Sequence, residues 1–335
     1  MQPVEAASHW DLPVLETIGD LAAWLECETG ELDWFADLKG LLSRRGASPH
    51  LRHYSYRILE KRSGGQRLIE APKARLKEIQ RQILTSILDK VPAHPAVHGF
   101  VKGRSIQTFA APHVGQPLVL RMDLQDFFPS FPGARIQTVF RTFGYPESVA
   151  DLLGGICTNA TPRDVWPHRE PFDRPHLPQG APTSPALANI CTYRADCRLA
   201  SLARAAGVAY TRYADDLAFS GNADFDRFST HAAVILSEEG LTVNHRKTRI
   251  MHQGVRQHLA GLVTNDKLNV IRADYDCLKA ILTNCIRTSP ANQNREAHPD
   301  FHAHLQGRVA FVETINPAKG NRLRQLFNQI EWRPR

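Results

Sequence analysis

Apolar positions along this chain change their period several times, and each change marks an element. Over residues 13–42, Leu15, Ile18, Leu21 and Leu25, then Trp34, Leu38, Leu41 and Leu42, recur at helical spacing and predict two short helices. Tyr54-Ser55-Tyr56-Arg57-Ile58-Leu59 and Gln66-Arg67-Leu68-Ile69-Glu70 predict a hairpin joined through the basic turn Lys61-Arg62-Ser63-Gly64-Gly65. Residues 72–91 return to the helical period with Leu76, Ile79, Ile83, Leu84, Ile87 and Leu88, while Lys73, Arg75, Lys77 and Arg81 lie on other faces. Leu118-Val119-Leu120-Arg121-Met122 is a short apolar run that predicts a buried strand ending on Asp123. A helix is predicted from Ser184 to about Ala203, with Pro185 in its first turn and Thr183 or Ser184 as its cap. Val208, Tyr210 and Arg212 alternate with Ala209, Thr211 and Tyr213, and a β-rich run resumes from Leu217 to Gly221. Asp215-Asp216 therefore falls at the tip of a predicted hairpin. A helix over residues 228–239 follows, then the turn Gly240-Leu241-Thr242. Beyond Thr264, Tyr275, Leu278, Ile281, Leu282 and Ile286 predict a helix and residues 289–299 a polar loop. Asn316-Pro317 opens a last helix carrying Leu323, Leu326, Phe327 and Ile330 on one face.

Two adjacent carboxylates at a tight turn repel one another and lose hydration, so an ordered fold tolerates them best where divalent cations neutralise them. A solvated turn is the better explanation of an isolated Asp-Asp pair; the flanking strands reverse this in favour of a metal site. Asp123, at the end of its own buried strand, is positioned to join Asp215 and Asp216. Three carboxylates at neighbouring strand ends suit two-metal phosphoryl transfer, in which one Mg²⁺ activates a 3′-hydroxyl and a second, roughly 3.5–4 Å away, holds the leaving group.

Charge and length agree with a nucleic-acid enzyme. The 335 residues are long for a single core and imply two or three subdomains around a cleft. A formal charge of +7 favours a polyanionic partner. The first 43 residues are acidic, with Lys39 the exception among bases, and are expected to avoid nucleic acid, whereas residues 52–81 are densely basic. Six cysteines without C-x-x-C spacing read as reduced thiols of a cytosolic protein, with Cys191 and Cys197 in the core of their helix. His94/His98 and His298/His302/His304 lack the nearby cysteine pair that would complete a zinc site. There is no basic-then-apolar leader and no apolar run long enough to span a bilayer, so a cytoplasmic protein without membrane attachment is expected.

Six segments in order carry a family resemblance. They are Arg62-Ser63-Gly64-Gly65-Gln66-Arg67-Leu68-Ile69-Glu70-Ala71-Pro72-Lys73, His98-Gly99-Phe100-Val101-Lys102-Gly103-Arg104-Ser105-Ile106, and Met122-Asp123-Leu124-Gln125-Asp126-Phe127-Phe128-Pro129-Ser130. Leu177-Pro178-Gln179-Gly180-Ala181-Pro182-Thr183-Ser184-Pro185, Tyr213-Ala214-Asp215-Asp216 and Leu241-Thr242-Val243-Asn244-His245-Arg246-Lys247-Thr248 complete the set. With them the chain resembles the reverse transcriptases, and most of all the retron-type enzymes of bacteria.

The resemblance implies an α+β right-hand fold: an N-terminal helical arm over residues 1–50, fingers over 51–116, a palm with an antiparallel sheet over 117–264 and a helical thumb over 265–335. Residues 132–176 would be a finger-palm insertion. It implies RNA-directed DNA synthesis with two Mg²⁺ on Asp123, Asp215 and Asp216, and dNTPs as substrates. Arg67, with Lys61 or Arg62, would clamp the triphosphate. Phe128 would pack under the sugar and exclude a 2′-hydroxyl, and Gln179 and the Gly180 amide would face the nucleotide. Lys247 would approach the leaving pyrophosphate, with Arg246 and Arg249 as equal candidates for phosphate contact. Lys102 and Arg104 would hold phosphates of the nucleic acid, and Arg308, Lys319, Arg322 and Arg324 would grip the template-primer duplex. The template and primer would be a structured noncoding RNA, priming from an internal 2′-hydroxyl, and the product a small single-stranded DNA. A separate effector protein would join it in defence against phage.

Two positions depart from the retron pattern. Phe109-Ala110-Ala111-Pro112-His113 lacks the Asn of Asn-Ala-x-x-His, and Leu259-Ala260-Gly261 keeps only the Gly of Val-Thr-Gly. Both elements are associated with the retron's RNA and leave the polymerase chemistry untouched. A reverse transcriptase of group II intron or diversity-generating type, and an RNA-binding scaffold with a vestigial polymerase, are the alternatives.

Overall fold

The computed structural model describes residues 1–42, 48–61, 64–167 and 170–332. The chain is mixed α and β, as its patterning predicts. Helices α1 (Ile18–Trp24) and α2 (Thr29–Ala36) each open on a capping box, Thr17 with Asp20 and Glu28 with Glu31. The second helix is shorter than predicted. Asp37 turns left-handed at φ 40°, and its carboxylate accepts from the Leu41 and Leu42 amides at 2.7 and 3.1 Å, leaving Leu38 and Leu41 exposed.

Strands β1 (Tyr54–Glu60) and β2 (Gln66–Pro72) form the predicted hairpin, in register from Tyr54↔Pro72 to Glu60↔Gln66. Helix α3 (Ala74–Ser86) buries Leu76, Ile79 and Ile83, and the short α4 (Ile106–Ala110) is capped by Ser105. The central sheet is antiparallel. It comprises β3 (Leu118–Gln125), β4 (Ala209–Tyr213), β5 (Asp216–Gly221), β6 (Thr242–Val243) and β7 (Arg249–His252). Strand order is β4-β5-β3-β6, with β7 also paired to β3.

The period-2 alternation of β3 divides the molecule into two cores. Leu120, Met122 and Leu124, with Leu217 and Phe219 of β5, face the larger core. That core includes α5 (Gly133–Thr142), α6 (Glu147–Ile156), α7 (Ser184–Ala205), α8 (Phe225–Glu238) and the N-terminal helices. Each buried Leu or Phe contributes about 1.5–3 kcal/mol, so a one-residue slip of β3 would expose this whole set. The opposite face begins with Val119 and Ala218 in the second core and ends in Asp123 and Asp216.

The second core extends into the C-terminal region. Strands β8 (His258–Leu259), β9 (Leu262–Val263) and β10 (Asn269–Val270) form a small sheet. Helices α9 (Arg272–Arg287), α10 (Pro290–Gln293), α11 (Phe301–Ile315) and α12 (Pro317–Asn328) follow. Two of these modify the sequence expectation: α10 is a single turn inside the predicted loop, capped by Ser289, and α11 buries Leu305, Val309, Val312 and Ile315. Helix α7 follows the predicted span but has no side-chain cap; the Ser184 hydroxyl instead donates to the Pro178 carbonyl at 2.7 Å. Among the described residues no helix is long and apolar enough to cross a membrane.

Candidate active site

The site is built on the tip of the β4–β5 hairpin. Tyr213↔Asp216 is its last pair, so Ala214 and Asp215 form a two-residue turn, with Ala214 at φ 55°. The Asp215 carbonyl accepts from the Leu124 amide at 3.0 Å, which fastens the tip to the end of β3. From the other side Gly99 packs against the turn so closely that a Cβ there would lie 2.5 Å from the Ala214 nitrogen.

Sheet register then sets Asp123 directly opposite Asp216. Asp123 is 6% exposed. Lys247 Nζ stands 3.0 Å from both of its carboxylate oxygens and donates to Oδ2, while Oδ1 is buried without a hydrogen-bond partner. Backbone bonds hold this cation in place: the Asn244 amide donates to the Asp123 carbonyl at 2.7 Å, and the Lys247 amide to the Asn244 carbonyl at 3.0 Å. Of the three cations that the sequence left open, Lys247 is the one bonded to Asp123; Arg249 Nη1 donates to the Thr248 carbonyl.

The carboxylates feel one another. Burial, then the Asp215 charge, pushes Asp216 up to about 6, and burial, opposed in part by a backbone hydrogen bond, raises Asp215, with Asp123 adding to both. Lys247 and Arg67 pull Asp215 back down, so the cation of the β1–β2 hairpin reaches the acidic turn electrostatically. Among the described residues no set of three or more His, Cys, Asp or Glu side chains is closed into a metal cluster. The donor chemistry nevertheless suits a divalent cation: hard carboxylate oxygens, one of them buried and in no hydrogen bond, and two acids whose charge is poorly solvated.

Around the acids, Phe128 is half-buried, with its ring 6.1 Å from Phe100, which is itself 6.4 Å from the Tyr213 ring. Gln179 is joined to the β1–β2 hairpin through its carbonyl, which accepts from the Glu70 amide at 2.9 Å. Gly180, at φ 139°, leaves no room for a Cβ, which would meet the Glu70 carbonyl oxygen at 2.9 Å. Glu70 is fully buried and accepts from Asn159, Thr161 and His176 Nε2 at 2.7, 2.8 and 3.0 Å, making a rigid joint behind the loop. Lys61 and Arg67 are exposed at the hairpin end, and Arg62 lies outside the described residues.

The remaining basic residues divide into two groups. Lys102 and Arg322 are exposed, and Arg308 borders a cleft of 320 Å³ with His298 and His304, whose rings stack at 3.8 Å. Others are engaged within the chain. Arg104 Nη1 donates to the carbonyls of His94, Pro95 and Val97, closing its own loop. Arg324 forms a bidentate pair with Glu313 at 2.8 and 2.7 Å, and Lys319 lies over the Tyr275 ring at 4.9 Å. The sequence offered all of these as nucleic-acid contacts; charge alone does not reveal an internal partner.

Arg121 was not anticipated. It shares the Asp123 face of β3 two residues earlier, and its charge lowers Asp216. Strand alternation was the signal that could have found it.

A family model described as reverse transcriptase (RNA-dependent DNA polymerase) matches residues 59–298. The Retron Mx65 reverse transcriptase of Myxococcus xanthus is 41% identical over 322 residues, covering 94% of this chain and 72% of that one. The Retron Mx162 reverse transcriptase of the same organism is 34% identical over 98% of this chain and 70% of its own length. The Retron Ec86 reverse transcriptase of Escherichia coli is 31% identical over 83% and 82%. Among solved structures, a telomerase from Candida albicans aligns with a TM-score of 0.43 at 11% identity, over 81% of this chain and 56% of that one. A foamy viral protease-reverse transcriptase aligns at 0.39 and 16% identity, over 84% and 34%. The chain belongs to the reverse transcriptase family, the RNA-directed DNA polymerases, and within it to the retron type. Members of this family generally use divalent metal ions.

Proposed function

We propose that this chain copies part of a structured noncoding RNA into a small single-stranded DNA, using two Mg²⁺ held by Asp123, Asp215 and Asp216. The observation that carries this reading is the Asp123↔Asp216 register at the end of the two central strands, with Lys247 3.0 Å from Asp123. When bound, the ions lower the barrier by activating the attacking hydroxyl and neutralising the triphosphate. The chain's own groups do the rest. Arg67, with Lys61 or Arg62, screens the incoming triphosphate. Phe128 closes the floor of the sugar pocket, and Gln179 and the Gly180 amide orient the nucleotide. Lys247 Nζ, 3.0 Å from Asp123, supplies a proton to the departing pyrophosphate.

In this reading the molecule is a right hand, with arm 1–50, fingers 51–116, palm 117–264 including the insertion 132–176, and thumb 265–335. Lys102, Arg104, Arg308, Lys319, Arg322 and Arg324 follow the nucleic-acid backbone, the engaged ones exchanging internal partners for phosphate. The RNA serves as template and primer from an internal 2′-hydroxyl, the work takes place in the cytoplasm, and a separate effector protein completes an antiphage system. The retron relatives favour this over an intron-type or diversity-generating enzyme.

Primer extension on an RNA template, run beside RNA binding, tests the reading. The wild type should elongate the primer, and Asp215→Ala and Asp216→Ala should bind RNA without elongating it. Elongation by either variant, or none by the wild type, overturns it; the latter outcome supports a scaffold. Sequencing of copurifying nucleic acid should recover a branched RNA-DNA hybrid.

A further inference from the structure

Arg212 is the largest fully buried side chain among the described residues, and it lies two residues before the acidic turn. Its Nε and Nη2 donate to Asp196 Oδ1 and Oδ2 at 2.8 and 2.7 Å, a bidentate pair in which both side chains have 0% exposure. Its Nη1 donates to the Asn189 Oδ1 at 3.2 Å and to the Ala214 carbonyl at 3.0 Å. Asn189 Nδ2 in turn donates to the Gly99 carbonyl at 3.0 Å, and the Tyr210 hydroxyl to Asp196 Oδ1 at 2.7 Å. Asn189 and Asp196 lie two turns apart on α7, so they share one face of that helix. Backbone bonds complete the clamp: the Arg212 amide donates to the Ala96 carbonyl and the His98 amide to the Arg212 carbonyl, both at 2.7 Å.

A buried ion pair contributes little net stability compared with apolar side chains of the same volume, whereas its fork fixes geometry closely. Here the geometric output is the Ala214 carbonyl. Ala214 is held at φ 55°, a left-handed conformation that an L-residue other than glycine adopts only at a cost. The peptide that follows it carries Asp215. Gly99, the other end of the same network, is the residue pressed against the Ala214 nitrogen.

We propose that Arg212, oriented by Asp196 and Asn189, is a positioning residue that sets Asp215 and Asp216 for metal binding by holding the Ala214 carbonyl. This rests on the reading of those two acids as metal ligands. Charge is not the requirement; the planar fork is. Loss of such an outer partner costs metal affinity about 10- to 100-fold in comparable sites.

The test uses the full chain, two variants of the network, and Asp215→Asn as the reference for lost metal binding. Tyr210→Phe/Asp196→Leu/Arg212→Met replaces the buried network with apolar groups, so that no charge is stranded. Arg212→Lys keeps a cation facing Asp196 without the fork, and supplies the same readouts where the triple variant does not fold. Three quantities are read: Mn²⁺ affinity by electron paramagnetic resonance, the Mg²⁺ half-saturation of single-nucleotide addition, and RNA-primer affinity. The expected result is a loss of about 10- to 100-fold in Mn²⁺ affinity, a matching rise in Mg²⁺ half-saturation and unchanged RNA-primer affinity. Unchanged Mn²⁺ affinity in the folded variants, beside its loss in Asp215→Asn, overturns this inference alone. Mn²⁺ binding by Asp215→Asn like that of the wild type overturns the metal reading and this inference together.

Discussion

Lys247 Nζ is 3.0 Å from each carboxylate oxygen of Asp123, and it is the cation that the turn after β6 delivers to the acidic end of the central strands. A proton donor beside the leaving group contributes about 10²–10⁴-fold to such a reaction. Lys247→Met is therefore expected to slow single-turnover nucleotide addition about 100-fold while dNTP affinity changes little. A variant that loses dNTP affinity but keeps its maximal rate would assign Lys247 to binding alone.

Asp216 gives the metal-free protein a defined dependence on pH. Burial and the Asp215 charge hold its acid up at about 6, so the fold prefers the neutral form. That preference stabilises the protein fully below the ordinary value of 3.8 and is lost as pH rises through about 6. Asp216→Asn should thus melt higher than the wild type at about pH 7.5 in chelator, by on the order of 1–3 kcal/mol, with the gap closing near pH 4. Thermal melts across this range check it; a gap independent of pH contradicts it.

Gly99 has no space for a side chain, since a Cβ would stand 2.5 Å from the Ala214 nitrogen. Gly99→Ala must displace backbone, at a cost of about 1–3 kcal/mol by the usual measure of overpacking. The expected outcome is a lowered melting temperature with loss of primer extension and retained RNA binding. Wild-type extension by this variant would mean that the turn has slack.

Phe128→Ala should admit ribonucleotides. If its ring rejects a 2′-hydroxyl with a penalty of about 1–3 kcal/mol, discrimination against rNTPs falls about 5- to 150-fold. Competition between dNTP and rNTP at one template position measures this, and unchanged discrimination would make Phe128 an ordinary packing residue beside Phe127 and Phe100.

The legibility of this chain followed burial and partners. The β4–β5 hairpin was readable because alternation on both sides placed the acidic pair at a turn; the turn itself is Ala214-Asp215, and Asp216 opens β5. β3 was readable because an apolar run between polar segments has few ways to be buried. Its acidic end followed from that. Arg212 and Asp196 were not readable as a pair, because a buried charge looks like a surface charge until the fold supplies its partner 16 positions away. The internal partners of Arg104 and Arg324 were hidden in the same way: the two side chains are bonded to loop carbonyls and to Glu313. Helix α11 was missed because Gly307 and two histidines, His302 and His304, dilute its apolar stripe, and α2 ends early because the Asp37 carboxylate captures two amides beyond it.

The central claim is that Asp123, Asp215 and Asp216 together hold paired divalent ions. An experimental structure of the chain with Mn²⁺, an annealed RNA-primer and a non-hydrolysable dNTP tests it most directly through anomalous scattering. Two peaks roughly 3.5–4 Å apart, ligated by oxygens of these three residues, are expected. Peaks elsewhere, or an ordered nucleotide with no metal on these oxygens, would contradict it.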